Sequence, residues 1–360
     1  MRVLVCGGGV IGVAIAYYLS LRGAEPVVIE RAGIANAASG KSGGFLALDW
    51  CDGSRLSALA RRSFALHAEL ADVVPDGGYR RLTTYGGFGG RGGRREAGGW
   101  ISDRIAIDRR LGSPETTAQI DPASFTTGLV RAAEGQGARV MTGTVTGLLR
   151  DGDRVVGVMV DGEPIKGDAV VIAMGPWSIL AAAWLPLPAV YGLKGHSVVY
   201  DTGDAVPPMA LFLEVGEAGG GAVSPEVFPR PNGTTYVCAI SSDSPLPVDP
   251  ADVVPDPGAI DRLMAISAGI SPVLDPARVI AAQACFRPVT ADGLPLIGAI
   301  PGAAGAYVAT GHSVWGMLNA PATGEAMAGL ILDGSAGHVD LAPFDPGRLE
   351  PFDAARLVVE

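Results

Sequence analysis

The chain has 360 residues, 48% of them hydrophobic, with four cysteines and a net charge of −10. That length and apolar content bury a large core and suggest two domains, interleaved in sequence, while the acidity excludes nucleic acid and anionic membrane surfaces as partners. Cys6, Cys51, Cys238 and Cys285 are too scattered for a zinc site or disulfide framework, and the longest apolar stretch, from Ile179 to Leu193, is broken by Pro186 and Pro188 and is too short to span a bilayer.

In chain order, Val3-Leu4-Val5-Cys6 reads as a strand, Gly7-Gly8-Gly9-Val10-Ile11-Gly12 as the turn into an apolar helix, and Val27-Val28-Ile29-Glu30 as the next strand. This is a dinucleotide-binding βαβ unit. Gly7 permits the tight turn, Gly9 lets the backbone approach a pyrophosphate, and Gly12 lets the helix pack closely on the sheet. The N–H groups opening the helix, at Val10 and Ile11, face the phosphates, and Glu30, with Arg31 beside it, accepts from ribose hydroxyls. The motif alone does not say which dinucleotide. Because a strand starts at Arg2, no signal peptide is expected and the location is read as cytoplasmic.

The small-residue loop from Ala37 to Leu46 lets a flat cofactor approach the backbone, so Ser39, Lys41, Ser42, Gly43, Gly44, Phe45 and Leu46 are cofactor-contact candidates. A helix is expected from Arg55 to Leu70, then short strands from Leu82 to Phe88. Asp121 is an N-cap and Pro122 a first-turn proline, opening a helix to about Gly137. Strands follow from Arg139 to Met141, Thr144 to Arg150 and Val155 to Val160, the last two joined by a hairpin at Asp151-Gly152-Asp153. A further strand, Ala169 to Ala173, closes on Gly175-Pro176-Trp177, adding Val145, Ala173, Gly175 and Trp177 to the cofactor contacts. From Val190 to Ile240 strands interrupted by Pro and Gly predict an antiparallel sheet. A Pro- and Asp-rich connection from Pro245 to Pro257 then leads to a helix from Ala259 to Gly269, and the segment from Val279 returns to the first domain.

Three separated stretches now agree: the N-terminal turn with Glu30, the run from Gly167 to Ser178, and the segment from Cys285 to Gly324. Together they resemble the D-amino acid oxidase superfamily of flavoproteins, with Cys285-Phe286-Arg287-Pro288 and Ala309-Thr310-Gly311-His312 similar to glycine and sarcosine oxidases. The resemblance implies FAD, and an amine or amino acid substrate oxidised at its C–N bond to an imine by hydride transfer to flavin N5. It also implies O2 as the acceptor, giving hydrogen peroxide. The fold implied is α/β, a Rossmann-like FAD-binding domain of glutathione-reductase type interleaved with an α+β substrate domain on an antiparallel sheet. Expected boundaries are 1–78, 119–180 and 283–345 for the first domain, 79–118 and 181–282 for the second, and 346–360 for a C-terminal tail. No metal is expected.

The turn from Gly311 to Gly316 precedes a helix read from Ala320 to Leu332, whose N-terminus points back at the cofactor. Donors at Gly316, Met317 and Leu318, with His312 and Trp315 beside them, suit the negative charge of a reduced flavin. By the resemblance Arg287 grips a substrate carboxylate, for which a bidentate guanidinium is better suited than an ammonium; an interdomain salt bridge is the other reading. Where glycine oxidases carry a second arginine after the Gly-His pair, this chain has Val314 and Trp315, a departure that bears on carboxylate binding. The resemblance also marks Cys285 as a site for a covalent bond to the flavin, against a plain buried strand thiol. Lys194 and His312 are candidates for a positive charge near the flavin, and Glu226 for a carboxylate that favours a cationic amine. A nicotinamide-dependent dehydrogenase and a flavin-bound binding or trafficking protein without chemistry stay open beside the oxidoreductase.

Overall fold

The computed structural model describes residues 1–90, 99–216 and 221–357. One layer is a six-stranded sheet in the order Leu296–Ala299, Ala306–Thr310, Ala169–Ile172, Arg2–Cys6, Glu25–Glu30, Arg139–Thr142. Its neighbours are parallel except for the antiparallel edge pair of Leu296–Ala299 with Ala306–Thr310. Arg2–Cys6 lies at its centre with both faces covered, which is why the strand is a continuous apolar run without alternation. On one face pack the helices Val10–Leu21 and Gly316–Asp333, so close that a Cβ on Gly324 would stand 2.6 Å from the Ala14 backbone. On the other lies a three-stranded sheet of Val145–Asp151, Arg154–Val160 and Glu163–Lys166, which delivers Val155, Val158 and Val160 to the core around Leu4 and Ile172.

The second layer is an eight-stranded sheet. Its path runs Val279–Val289, Tyr191–Asp201, Thr234–Ser242, Glu226–Pro229, Met209–Gly216, Thr83–Gly89, Ile105–Gly112, and Ala222–Val223 is added beside Met209–Gly216. Pairing is antiparallel, as expected, save that Met209–Gly216 and Thr83–Gly89, which come from separate excursions of the chain, run parallel. The helix Ala259–Ile270 covers the outer face, setting Leu263, Ile266 and Ile270 against Val198, Tyr200 and Val237. The expected helices form at Ser57–Val73 and at Pro122–Gly135, the latter capped by the Asp121 side chain, which accepts from Ser124 N at 2.9 Å.

Two segments depart from the sequence reading. Val279–Val289 does not yet rejoin the first sheet: it pairs along its length with Tyr191–Asp201, and the chain re-enters the six-stranded sheet at Leu296. The C-terminal helix begins at Gly316, a turn before the expected Ala320, and so encloses Pro321. A proline there has no N–H for the Met317 carbonyl four residues back. His67 supplies the missing donor from the neighbouring helix, its Nε2 lying 3.0 Å from Met317 O and 3.2 Å from Leu318 O, and Ser63 Oγ accepts from Ala322 N at 3.1 Å. Two side chains one turn apart on Ser57–Val73 thus replace the helix bonds that Pro321 removes.

Candidate active site

A cavity of about 480 Å³ runs between the two sheets. It starts at Glu30 and Arg31, passes the Gly7–Ile11 turn, and ends between the turn at His312–Met317 and the inner face of the eight-stranded sheet. At the first end Gly7 has φ +115°, and a Cβ there would lie 2.4 Å from Ala173 O. Gly12 stands 2.1 Å, by the same measure, from Gly7 O, so it serves packing and does not line the cavity. Gly9 differs: the nearest atom to its would-be Cβ is Ser39 Oγ at 3.1 Å, and the remaining space is cavity. Ser39 Oγ also accepts from Val10 N at 2.9 Å, fixing the start of the helix. Glu30 accepts from Gly8 N and Ala32 N at 2.7 and 2.8 Å, one bond per oxygen, which leaves further lone pairs facing inward.

Of the expected cofactor contacts, Gly7, Gly9, Val10, Ile11, Glu30, Arg31, Ser39, Ser42, Gly43, Gly44, Phe45, Val145, Ala173, Gly175, Trp177, Cys285, His312, Trp315, Gly316 and Met317 line the cavity. Lys41, Leu46, Gly311 and Leu318 do not: Leu46 and Leu318 turn into the core, and Gly311 forms a left-handed turn against Thr290. Arg31 and Trp177 spend their donors on a loop of the second layer. Arg31 reaches Val248 O at 3.0 Å and Asp249 at 2.8 Å, and Trp177 Nε1 reaches Pro247 O at 2.7 Å. That loop is pinned at its far end, where Asp256 takes Lys194 Nζ at 2.5 Å and both Ser242 and Ser244.

Lys194 is therefore not a cavity cation. Alternation along Tyr191–Asp201 turns Lys194 and His196 outward and leaves Gly195 facing in. The ammonium lies over the Phe286 ring and pairs with Asp256, whose carboxyl it holds well below the usual carboxylate range. His196 Nε2 accepts from Asp256 N at 3.1 Å while Nδ1 lies 3.2 Å from Ile240 O. His312 does line the cavity, but burial lowers its pKa to about 3 and it is neutral. Its Nε2 bonds Thr323 Oγ1 at 3.1 Å, and its Nδ1 has no partner. The arginines on the wall, Arg31 and Arg287, carry the positive charge there.

Burial of two neutral histidines has a pH signature. His67, like His312, is fully enclosed, and its pKa falls to about 4 against an ordinary 6.5. Below pH 6.5 the unfolded chain binds protons that the fold refuses, so stability drops from 6.5 down to about 4 for His67 and on to about 3 for His312. At pH 5 each costs about 2 kcal/mol. The thermal midpoint at pH 5 is expected to lie several degrees below that at pH 7. His67→Gln, which keeps a donor but does not titrate, should remove part of the slope; an unchanged slope would count against this account.

On the sheet face, Arg287 crosses Gly195, where a Cβ would come within 3.1 Å of the guanidinium, and its Nη1 donates to Ser241 Oγ at 3.0 Å. Cys285, two residues earlier, faces the same cavity; burial raises its thiol pKa, with Arg287 and Lys41 opposing. Glu226 is in the cavity as well. Sequence reasoning missed the aromatic wall around it: Trp50, Phe212, Phe228 and Tyr236 join Phe45 with ring centroids 4.8 to 6.1 Å apart. These rings come from distant segments, and nothing in their spacing announces a shared site.

The model of a family described as FAD dependent oxidoreductase matches residues 2–330. The chain belongs to this family. A glycine oxidase of Pseudomonas aeruginosa is 30% identical over 378 residues, covering 97% of this chain and 99% of that protein. A protein of Schizosaccharomyces pombe named as an oxidoreductase is 29% identical over 387 residues, covering 97% and 99%. In fold, the crystal structure of glycine oxidase from Geobacillus kaustophilus matches with a TM-score of 0.82 at 24% identity, over 96% of this chain and 98% of that one. Membership sets the nicotinamide reading aside and makes the chain an FAD-dependent oxidoreductase.

The cavity fits FAD by its own geometry. Gly9 leaves open the space that a pyrophosphate needs beside the helix N-terminus at Ile11, Val10 N being taken by Ser39 Oγ, while Glu30 lies on the wall with lone pairs to spare for a ribose and the uncapped N-terminus of Gly316–Asp333 opens on the far end. Two buried polar atoms on the wall, Ser42 Oγ and His312 Nδ1, have no protein partner. Among the described residues no cluster suited to a metal ion occurs, and no helix is long and apolar enough to cross a membrane.

Proposed function

We propose that this FAD-dependent oxidoreductase oxidises the C–N bond of a small amino acid or N-alkyl amino acid, with Arg287 anchoring the substrate carboxylate and O2 as the electron acceptor. When bound, FAD supplies the hydride acceptor and passes the electrons to O2, giving H2O2. The observation that carries the reading is Arg287: a guanidinium laid over Gly195, facing the cavity that begins at the dinucleotide-binding turn. Its fork matches a carboxylate in two parallel bonds, and low polarity around it strengthens them. The neutral His312 and the main-chain donors at Gly316 and Met317 orient the ring system without demanding a proton. Arg287 and Cys285 reach this site from the second sheet, although the boundary read at residue 283 gave them to the first domain, and an acidic enzyme with four free thiols suits a reducing cytoplasm.

The test is a peroxide-coupled screen of FAD-loaded protein over glycine, sarcosine, D-amino acids, proline and polyamines, with anaerobic bleaching of the flavin in parallel. Peroxide from a carboxylate-bearing amine, and none from polyamines, is expected. If no member bleaches the flavin, the protein is a flavin-bound binding module instead. Acid precipitation of the same sample addresses Cys285: colour in the pellet, lost in Cys285→Ser, supports a thioether to the flavin, and colour wholly in the supernatant removes it.

A further inference from the structure

Glu226 is a carboxyl group in an aromatic cavity, and the proposed role of Arg287 leaves it without a task. It faces inward from Glu226–Pro229, opposite Phe212 on one neighbouring strand and Cys238 on the other. Its polar contact is weak, a thiol donor from Cys238 at 3.5 Å. The titratable groups that share this sheet face are Cys238 and Tyr236, both pushed up by burial, Cys285 likewise, and Arg287. Among the described residues no ion pair joins Glu226 to Arg287, whose Nη1 is turned to Ser241. Burial raises the pKa of Glu226, and Arg287 lowers it in part. Among the described residues neither this carboxyl group nor this guanidinium has an ion-pair partner, although both face one largely apolar cavity, an arrangement that is costly unless a ligand supplies both charges.

We propose that Glu226 receives the ammonium group of the substrate and accepts its proton, while the wall of Phe45, Trp50, Phe212, Phe228 and Tyr236 selects a substrate with an apolar side chain. The proposal rests on the amine-oxidation reading above. The step is balanced within the site: R–NH3⁺ and the Glu226 carboxylate become R–NH2 and the carboxylic acid, and the nitrogen lone pair so freed is the one that oxidation of the C–N bond requires. A carboxylate whose proton affinity is raised by its surroundings is the better acceptor for that proton. Glycine satisfies both charges but leaves the aromatic wall bare; leucine or phenylalanine covers it.

The experiment is anaerobic stopped-flow reduction of the FAD-loaded full chain by glycine and by both enantiomers of leucine and phenylalanine, from pH 6 to pH 10. For wild type, one enantiomer of leucine or phenylalanine is expected to exceed glycine in kcat/KM by about tenfold or more. With Glu226→Gln, kcat/KM near neutral pH is expected to fall about 10²-fold and to recover about tenfold per pH unit towards the pKa of the amine, because only the free amine is then competent. Glu226→Asp should keep the wild-type pH profile. Glu226→Gln should also retain its flavin and still perturb the flavin spectrum on binding benzoate, a carboxylate without an amine, which shows the site intact. An unchanged pH profile in Glu226→Gln, or glycine preferred over both larger amino acids, overturns the proposal. Failure of every amine to reduce the wild-type flavin instead overturns the reading on which it rests.

Discussion

Replacing Arg287 by alanine is expected to lower kcat/KM for a carboxylate-bearing substrate by about 10²- to 10³-fold, equivalent to about 3 to 4 kcal/mol, with flavin content unchanged. The guanidinium donates to Ser241 Oγ on the second sheet and, among the described residues, makes no hydrogen bond to the dinucleotide-binding turn. Its loss removes the substrate anchor and leaves the first layer as it was. Arg287→Lys keeps the charge but not the planar fork, so it should recover only part of the loss. The discriminating control is an amine of the same size without a carboxylate: its turnover, poor in wild type, should not fall further in Arg287→Ala. Equal losses for both amines would mean that Arg287 holds the sheet in place and does not read the substrate.

Gly9 and Gly12 are expected to fail in opposite ways when changed to alanine. At Gly9 the backbone is already extended, with φ −76° and ψ 171°, so alanine costs the fold little. Its methyl group, however, enters the cavity beside Ser39, where a pyrophosphate has to come close. Gly9→Ala should leave the melting temperature of the flavin-free protein within a degree or two while FAD affinity drops by about 10²-fold; Gly9→Val should abolish flavin binding. At Gly12 the methyl group would stand 2.1 Å from Gly7 O, a backbone atom that cannot move without opening the turn. Gly12→Ala should therefore lower the stability of the flavin-free protein by about 1 to 3 kcal/mol and lose flavin as a consequence. Melting and flavin absorbance measured on the same preparations separate the two. A Gly9→Ala protein that retains full flavin would refute the assignment of that end of the cavity.

The first layer was largely legible because its constraints are local. A strand, a glycine turn, a helix and an acid at fixed spacing leave little freedom, and the structure puts Gly7 in the tight turn, Gly12 in the close packing beside it, and Gly9 and Glu30 on the cavity wall. The capped helix after Asp121 was readable for the same reason, a side chain and a proline acting within one turn. The C-terminal helix was less so. Its start at Gly316 depends on His67 and Ser63, far away in sequence, replacing the bonds that Pro321 cannot make.

By itself the sequence determined the dinucleotide-binding half, the approximate elements of the second layer, and the resemblance that points to a flavin. Only the tertiary structure decided which face of each strand meets the cavity. Tyr191–Asp201 is buried on both sides through most of its length, so no alternation of polar and apolar residues reveals its orientation. Pairing in register with Val279–Val289, and coverage of the outer face by the helix Ala259–Ile270, turned Lys194 towards Asp256 and left Gly195 beneath Arg287. The same parity brought Glu226, Cys238 and the aromatic wall inward. A shift of one residue in register exchanges the two faces of a strand, and the hydrogen bonds and packing that prevent it join segments that the linear chain keeps far apart.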